Sequence, residues 1–351
     1  MILIAPTAFK GSHSAAEAAD AMANAFSADR TCVLPLSDGG PGLIDALMHE
    51  AVDLTHHRVR GPLGDTVRAR LLWLPDAAVI ESADAVGLHL IEPRLDPMRA
   101  DSYGLGELLR IAAERGAEEI IVGLGGSASV DAGTGMLRAL GWTWLDIEDE
   151  ALPPGGGSLE RLHSVRPPVF PWIVPITALA DVTTPIVGPE NAARIFGPQK
   201  GATPEQVLTL ERGLRRFDAV VHKHLGISLG GLPGGGAAGG LGAALAGLLG
   251  ARLAGGSNWL LDRIGFDEHL ARAELLITGE GAFDAQSALG KITGVVIERA
   301  RARGVPVLLI AGRIEGELPA GVHGASGSGA VLGLDDLQRL AERESARLLA
   351  P

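Results

Sequence analysis

Apolar runs without polar alternation recur along this chain, and each ends in a loop rich in glycine, aspartate or serine. ILIA, CVLPL, EEIIVGLGG, ITALA, ELLITG and VPVLLIAG are runs of this kind, and alanine-rich helical stretches follow several of them. Such runs predict strands buried on both faces, and their alternation with helices predicts parallel sheets. After the first run, Ser12 or Ser14 is the predicted N-cap of a helix. Ligands of parallel sheets bind outside the carboxyl ends of the strands, where these loops fall.

Residues 52–83 have a different pattern, in which strand-like segments are separated by the short turns GPLGD and LPDA. Closely spaced strands and turns of this kind predict an antiparallel meander. A chain of 351 residues is long enough for about two domains. We therefore expect an α/β protein with a parallel domain and a second, differently built domain.

The charge balance argues against several classes of partner. Thirty basic and 42 acidic residues give a net charge of −12, which disfavours nucleic acid and anionic membranes. The uncharged stretch 225–251 leaves a membrane helix open, but its Gly, Ala and Pro residues favour a glycine loop that leads into a buried helix. Cys32 is the only cysteine, and no signal peptide is evident at the N-terminus, so we expect a cytoplasmic protein.

Lysine is rare, and its positions are informative. The chain contains only Lys10, Lys200, Lys223 and Lys291, and three of these four adjoin a glycine. Because arginine supplies the other positive charges, the retained lysines predict sites that need a compact point charge. The alternative is that lysines simply favour loops.

Two glycine-rich motifs resemble nucleotide loops without matching them. ITGEGAFDAQSALGK, residues 277–291, ends in Gly-Lys, but Ala285 and Ile292 replace the glycine and the hydroxyl residue of a P-loop. Gly123-x-Gly125-x-x-Ala128 follows a predicted strand, and Asp146 lies about twenty residues further on, as in dinucleotide-binding proteins. An NAD-binding Rossmann protein is therefore one alternative.

Carboxylates and glycine loops recur at the predicted strand ends. Asp38 and Asp181 each follow a strand, Arg194 and Lys200 flank a Gly-Pro turn, and Pro233–Gly242 is long enough to form a nest of N–H donors for phosphate. This set favours Mg²⁺-assisted phosphoryl transfer, which needs N–H donors and cations for the phosphates and carboxylates for the metal. A serine hydrolase is disfavoured because no Gly-x-Ser-x-Gly elbow is present, and no histidine or cysteine spacing indicates zinc.

In order and spacing these motifs resemble those of the bacterial glycerate kinase family, the class that typically makes 2-phosphoglycerate. The matching stretches run from residue 5 to about residue 313 and include LSDGGPG, SYGLGELL, GLGGSASVDAGTGML, ADVTTPIVG, RIFGPQKGA, PGGGAAGGLGAAL and LITGEGAFDAQSALGK. The resemblance implies a kinase that uses ATP and Mg²⁺ to phosphorylate D-glycerate, with 2-phosphoglycerate favoured over 3-phosphoglycerate. A small hydroxy acid is then the partner, and a homodimer is left open.

The resemblance also implies two dissimilar α/β domains with the active site in the cleft between them. One is Rossmann- or flavodoxin-like with a parallel sheet, and the other is mixed with antiparallel strands. We expect the first to comprise residues 1–55, about 95–130 and 260–351, and the second about 56–94 and 131–259.

Roles are assigned to the positions that match the family motifs. Catalysis is expected from Asp181, Asp38, Lys10 and Lys291, and metal binding from Asp181 and Asp284. Substrate is expected at Arg194, Lys200, Ser127 and Asp131. Nucleotide phosphates are expected at Gly234, Gly235, Gly236, Gly239, Gly240, Gly279, Glu280 and Gly281.

The chain departs from the usual family pattern in these same loops. Thr7 stands where an aspartate is usual, Pro41 replaces a glutamate, Leu105 a threonine and Ala282 an arginine. Uncompensated, the loss of two acids and an arginine is expected to cost a few kcal/mol in binding or transition-state stabilisation. The alternatives are thus a homologue that acts on another small hydroxy acid and a catalytically weakened metabolite-binding protein.

Overall fold

The computed structural model describes residues 1–9, 11–284, 287, 291–327 and 331–349. The chain divides into two compact units: residues 1–49 together with 256–351 form unit 1, and residues 50–255 form unit 2. The strands are β1 Ile2–Ile4, β2 Thr31–Val33, β3 Asp53–Arg60, β4 Thr66–Trp73, β5 Ala78–Glu81, β6 Ile120–Gly123, β7 Thr143–Leu145, β8 Ser164–Arg166, β9 Ile176–Leu179, β10 Arg252–Ala254, β11 Leu275–Phe283, β12 Val307–Ile314 and β13 Val322–Ser326.

The described α-helices are α1 Ala15–Ala23, α2 Leu43–Leu47, α3 Ser82–Val86, α4 Tyr103–Glu114, α5 Thr134–Ala139, α6 Ala192–Phe196, α7 Pro204–Leu225, α8 Ala237–Leu249, α9 Gly256–Arg263, α10 Phe266–Leu270, α11 Ile292–Ala302 and α12 Leu334–Leu348. Short 3-10 helices cover Ala28–Arg30, Met48–Glu50, Leu88–Leu90, Gly156–Arg161 and Pro198–Lys200.

Unit 1 is built on a five-stranded sheet in the order β2-β1-β11-β12-β13. Every neighbouring pair in this sheet is parallel. The order corresponds to the 2-1-3-4-5 arrangement of flavodoxin-like sheets, which confirms the predicted class of the parallel domain. In this arrangement the strand order reverses between β1 and β11, so the loops that follow these two strands flank the place where ligands of such sheets bind.

The helices of unit 1 bury one face against this sheet. Ser14, not Ser12, is the N-cap of α1, and Ser14 and Glu17 form a capping box. Ala18 and Met22 of α1 are fully buried in a core that also contains Ile4 of β1 and Leu337 of α12. Capping and the apolar spacing together explain why the helix begins where it does.

Unit 2 contains a six-stranded sheet in the order β10-β9-β6-β5-β4-β3. The pairs from β5 to β10 are parallel, whereas β3, β4 and β5 pair antiparallel, as the turns in residues 52–83 predicted. A separate hairpin joins β7 and β8. The protein is thus mixed α/β with one parallel and one mixed sheet.

The division into units differs from the expected one at residues 95–130. The sequence predicts this stretch to lie in the parallel domain, yet β6 pairs with β5 on one side and β9 on the other, inside the sheet of unit 2. Leu105, Leu108 and Leu109 of α4 lie in the same core as Val59 of β3. The apolar run of β6 predicts a parallel strand but does not specify whether that strand joins the sheet of unit 1 or the sheet of unit 2.

The glycine-rich first turn of α8 is not helical and is folded tightly against the rest of unit 2. Ala238, Gly239 and Gly240 all have positive φ, and a regular helix follows them. A Cβ on Gly239 would lie 2.0 Å from the carbonyl oxygen of Ser129, and one on Gly240 would lie 2.6 Å from the Cα of Ala132. Among the described residues no helix is long and apolar enough to cross a membrane.

This packing predicts a large loss of stability for Gly239→Ala. The methyl group would meet a backbone carbonyl and impose left-handed strain, so we expect destabilisation of about 3 kcal/mol or more. Gly116→Ala is the matched control, because Gly116 also has positive φ but nothing lies within 4 Å of its Cβ position. The control is expected to lose only about 1–2 kcal/mol. Urea unfolding followed by tryptophan fluorescence measures both, and equal losses would contradict the prediction.

Candidate active-site loops

The carboxyl ends of four parallel strands, β5, β6, β9 and β10, meet at one edge of the sheet in unit 2. The loop that follows β6 runs from Leu124 to Gly133, and α5 begins at Thr134. This distance does not fit the dinucleotide fingerprint, in which the helix starts within the glycine motif and points its N-terminus at the pyrophosphate. The loop is instead held by side chains from several elements.

Asp131 holds this loop through an internal hydrogen-bond cluster. Its side chain is fully buried. Its Oδ2 accepts hydrogen bonds from the hydroxyl and amide of Ser102 at 2.7 and 3.0 Å and from the amide of Gly135 at 3.0 Å. Oδ1 accepts from the amide of Gly133 at 3.1 Å. Four donors saturate the carboxylate and join the starts of α4 and α5, so the geometry supports a structural role for Asp131 rather than the expected contact with substrate.

Lys200 lies at the end of a 3-10 turn and points into the same loop. Its Nζ donates to the hydroxyl of Ser127 at 3.0 Å and to the carbonyl oxygen of Ser129 at 2.7 Å. The side chain is only 3% exposed. Burial lowers the pKa of Lys200 to about 7, although the Asp131 carboxylate opposes this shift. The sequence predicts a substrate set of Arg194, Lys200, Ser127 and Asp131. The structure brings Lys200, Ser127 and Asp131 together, whereas Arg194 contacts Glu211.

Asp101 belongs to the same region and was missed by the sequence analysis. It is 1% exposed, and its Oδ2 lies 3.7 Å from a guanidinium nitrogen of Arg60 and 3.8 Å from one of Arg138. Burial, followed by the nearby Asp131 charge, raises the pKa of Asp101 to about 6, while the Tyr103 amide and the two arginines act in the opposite direction. The sequence offered one indication of this residue: Asp101 directly precedes the motif SYGLG, where α4 begins.

Arg194 is engaged within the protein. Its guanidinium contacts the Glu211 carboxylate at 2.9 Å through Nε and 2.8 Å through a terminal nitrogen. Arg215 contacts the other oxygen of Glu211 at 2.9 Å. A substrate carboxylate would have to displace Glu211 to receive the same fork. The structure thus gives Arg194 a partner that the sequence did not indicate.

Several amides of the glycine loop at 233–242 donate to backbone carbonyl oxygens. The amides of Gly235, Gly236 and Gly239 donate to the carbonyl oxygens of Leu232, Thr184 and Gly236 at 2.9, 2.8 and 3.2 Å. Gly234 and Gly240 have positive φ, and a Cβ on Gly236 would lie 2.6 Å from the Pro185 carbonyl oxygen. These contacts support a packing role for the loop, because amides paired in this way do not face a phosphate.

Asp181 differs from Asp131 and Asp101 because its side chain is exposed to solvent. It follows β9 by two residues and is exposed. A Cβ on Gly255, just beyond the neighbouring strand β10, would lie 3.3 Å from its Oδ1. An accessible carboxylate at the strand-end edge is suited to take a proton from a hydroxyl or to contact a metal.

In unit 1 the strand order reverses between β1 and β11, and we call this place the switch point. The loops that follow β1 and β11 flank it, and the loop that follows β2 comes from the neighbouring strand. The amide and hydroxyl of Thr7 both donate to the carbonyl oxygen of Gly279, at 2.8 and 3.2 Å. A Cβ on Gly279 would lie 2.3 Å from the carbonyl oxygen of Ile310, so this glycine permits close strand packing. Lys10 lies outside the described residues.

The loop after β2 presents an exposed aspartate. Asp38 is exposed, and its Oδ1 accepts from the amide of Gly40 at 3.1 Å. A Cβ on Gly256 would lie 2.1 Å from the Asp38 carbonyl oxygen, so only glycine fits beside this turn. The turn is therefore held by backbone packing while the carboxylate faces outward.

Glu280 and Asp284 are joined by a residue that the sequence analysis missed. The hydroxyl of Ser287 donates to Oε2 of Glu280 at 3.0 Å, and its amide donates to Oδ1 of Asp284 at 2.9 Å. Burial raises the pKa of Glu280, against hydrogen bonds from Ser287 and Thr293 and the positive charge of Lys291. Lys291 occupies the N-cap position of α11. The only sequence signal for Ser287 was its hydroxyl in the middle of the motif.

The described residues contain no group of three or more His, Cys, Asp or Glu side chains that could hold a metal by themselves. Mg²⁺ is usually bound by one or two carboxylates together with waters and substrate phosphates. The exposed carboxylates Asp38 and Asp181, and Asp284 beside Ser287, are donors of the type that Mg²⁺ prefers. The residues present therefore fit a metal that arrives with a nucleotide.

Comparison with known proteins places the chain. A family model described as the glycerate kinase family matches residues 2–343. A glycerate kinase from Bacillus subtilis is 40% identical over 329 residues, covering 89% of this chain and 85% of the relative. A glycerate 2-kinase from Escherichia coli is 38% identical over 326 residues, covering 89% and 85%.

Structural similarity agrees with the family match. A crystal structure from Salmonella typhimurium LT2 that bears the provisional name glycerate kinase 2 is similar with a TM-score of 0.84 and 36% identity, covering 99% of this chain and 97% of that one. The fold and the loops define a kinase of the two-unit α/β type. The chain belongs to the glycerate kinase family.

Buried Lys200 predicts a specific pH dependence of stability. Its pKa falls from about 10.5 in the unfolded chain to about 7 in the fold. The unfolded chain therefore binds more protons in this window, and the stabilising contribution present at high pH is lost as pH falls toward 7. Relative to Lys200→Met, the wild-type unfolding constant should rise by up to about tenfold for each pH unit lost.

Urea unfolding between pH 7 and 9.5, followed by tryptophan fluorescence, measures this difference. Lys223→Met is the matched control: Lys223 is exposed on α7, and because this variant keeps Lys200, its pH profile should run parallel to that of the wild type. Parallel pH profiles for wild type and Lys200→Met would contradict the prediction.

Proposed function

We propose that this protein uses ATP and Mg²⁺ to phosphorylate D-glycerate, with 2-phosphoglycerate as the product. The observation that carries the proposal is the switch point of unit 1, where Glu280, Ser287 and Asp284 are joined by hydrogen bonds and Lys291 occupies the N-cap position of α11. Carboxylates, a helix N-terminus and a lysine charge are the groups that phosphoryl transfer requires. The family membership and the names of the relatives support the same reaction.

In this proposal unit 1 holds the nucleotide. The N-terminus of α11 and the ammonium group of Lys291 would receive phosphate oxygens, because both carry positive charge. Lys10 is proposed as a second phosphate charge on the strength of its motif. Mg²⁺, when bound, would neutralise phosphate charge, and Asp284 is the carboxylate in this unit proposed to hold it.

Unit 2 would supply the acceptor hydroxyl and the base. Asp181 is proposed to take the proton from the glycerate hydroxyl as that oxygen attacks the γ-phosphorus, because it is an accessible carboxylate at the strand-end edge. Asp38, exposed in unit 1, is proposed as a second carboxylate for the metal. Lys200 and Ser127 would hold the loop that follows β6 in shape, because each is already bonded within it. The single cysteine supports action in the cytoplasm.

The departures from the family pattern favour a second candidate, a kinase of the same class with another small hydroxy acid as substrate. Leu105 is fully buried in the core of unit 2, so this departure changes packing rather than a ligand contact. Thr7 and exposed Pro41 lie in the loops of unit 1, where a lost acid would change which polar groups a substrate meets.

We propose that Arg313, a neighbour in the sheet, compensates for Ala282. Arg313 of β12 lies directly opposite Ala282 of β11 in the parallel register. Side chains opposite one another on neighbouring strands lie on the same face of the sheet. Arg313 is exposed and contacts Glu315 at 2.9 Å. A guanidinium is thus present on that face although residue 282 is alanine.

The reaction is tested by incubating the protein with Mg-ATP and D-glycerate. We expect ADP and 2-phosphoglycerate, with the position of the phosphate assigned by NMR. Asp181→Asn should lower kcat by about 100-fold or more, because general-base catalysis contributes a factor of that size. Asp20→Asn, which removes an exposed acid from α1, is the control and should keep full activity.

If glycerate is not phosphorylated but tartronate, lactate or a sugar acid is, the second candidate replaces the first. Nucleotide binding by calorimetry without turnover of any of these acids would contradict both.

Arg313 is tested by Arg313→Gln. If its charge serves the nucleotide, the KM for ATP should rise by about 10- to 100-fold, as expected for loss of a hydrogen bond between charged groups. Adding Ala282→Arg to this variant should restore much of the affinity, since the two positions are opposite in register. Glu315→Gln is the control and should leave the KM unchanged or lower. An unchanged KM in Arg313→Gln would contradict the assignment.

A further inference from the structure

The β3–β4 hairpin of unit 2 carries a basic face. In its antiparallel register Arg58 is opposite Arg68, Arg60 is opposite Thr66, and His56 is opposite Arg70. Residues in register across two strands, and every second residue along each strand, lie on the same face. Four arginines and a histidine are therefore collected on one side of this hairpin, in a chain whose net charge is −12.

Two of these arginines have carboxylate partners. Arg70 contacts Asp84 at 2.7 Å and Glu81 at 3.4 Å. Arg60 contacts Asp101 at 3.7 Å, and its guanidinium lies 5.2 Å from the centre of the Tyr103 ring. The charges of Arg60 and Arg70 are thus balanced by carboxylates of unit 2.

Arg58 and Arg68 stand apart from the other two. Both are exposed, and no carboxylate of the described residues lies within ion-pair distance of either one. Like charges directly opposite on paired strands destabilise a hairpin. In a chain with 42 acidic residues, the unpaired cross-strand arginines form a local positive centre that the fold itself does not neutralise.

A concave surface accompanies the charge. A depression of about 340 Å³ is lined by Arg58, Thr66, Val67 and Arg68. Two guanidinium forks and a hydroxyl match the oxygens of a tetrahedral oxyanion, because arginine binds phosphate through two parallel N–H donors. The volume is at the lower end of the range for small-molecule sites.

We propose that Arg58, Arg68 and Thr66 form an accessory binding site for a phosphate group. The occupant is free phosphate or the phosphate monoester of a small metabolite, which share this chemistry. A nucleic acid is disfavoured because the net charge of −12 repels an extended polyanion. The site does not depend on the proposed reaction, because it binds its anion without turnover.

The site is tested on the full chain by NMR of the arginine Nε–H groups during a titration with inorganic phosphate at constant ionic strength. Single variants Arg58→Gln and Arg68→Gln assign the two signals. We expect both signals to shift along one saturating curve with a Kd of about 1 mM. Calorimetry should show that binding is weakened about tenfold or more in the double variant Arg58→Gln with Arg68→Gln.

The control is the double variant Arg161→Gln with Arg272→Gln, which removes the same charge from two exposed arginines in other places. It should bind phosphate as the wild type does. Glycerol 3-phosphate is the second probe: tighter binding than inorganic phosphate identifies a monoester as the occupant, and equal binding identifies free phosphate.

Three results would overturn the proposal. They are shifts that rise without saturation, equal shifts at Arg161 and Arg272, and unchanged binding in the Arg58→Gln and Arg68→Gln double variant. Each would mean that phosphate meets only a diffuse positive potential. Since both substitutions lie on an exposed hairpin face, a thermal unfolding scan of each variant separates loss of the site from loss of the fold.

Discussion

The buried carboxylate of Asp131 is the interaction on which the loops of unit 2 depend. A carboxylate inside a protein is tolerated only when its oxygens accept hydrogen bonds, and here Ser102, Gly133 and Gly135 supply four donors. These donors belong to the starts of α4 and α5, so the carboxylate fixes both helix starts and the loop that joins β6 to α5. The ammonium group of Lys200 is anchored to the neighbouring part of that loop.

Close backbone contacts make this arrangement possible. The carbonyl oxygen of Gly239 accepts from the amide of Ala132 at 3.1 Å, and the absent side chain leaves room for the Ser129 carbonyl oxygen. The glycine loop thus packs directly on the loop that Asp131 organises. Glycine is frequent both in the loop after β6 and in the loop at 233–242, and from the sequence each resembles a phosphate loop. In the fold, Gly239 and Gly240 instead allow the backbones of these two loops to come into contact.

The sequence predicted the architecture well because its signals are local. Continuous apolar runs predicted the parallel strands, and the turns in residues 52–83 predicted the antiparallel strands β3, β4 and β5. The sheet that receives β6 was not predictable, because strand pairing over long sequence separations leaves no local pattern. Side-chain partners were hidden for a different reason: neither the pairing of Arg194 with Glu211 nor the link that Ser287 makes between Glu280 and Asp284 leaves a pattern in the sequence, even though Ser287 lies inside the motif.

Solvent exposure separates the charged motif residues into two groups that the sequence motifs do not distinguish. Asp131, Asp101 and Lys200 are almost fully buried, so their polar atoms are committed to the internal network, and burial shifts the pKa of Asp101 and that of Lys200. Asp38 and Asp181 are exposed at strand ends and keep their carboxylates accessible to ligands. All five lie in or beside family motifs, yet only the second group is exposed, which is the first condition for contact with a ligand. The buried group contacts the loops and helix starts of unit 2 through hydrogen bonds and ion pairs, so the structure gives these motif residues a role in holding the loops in place.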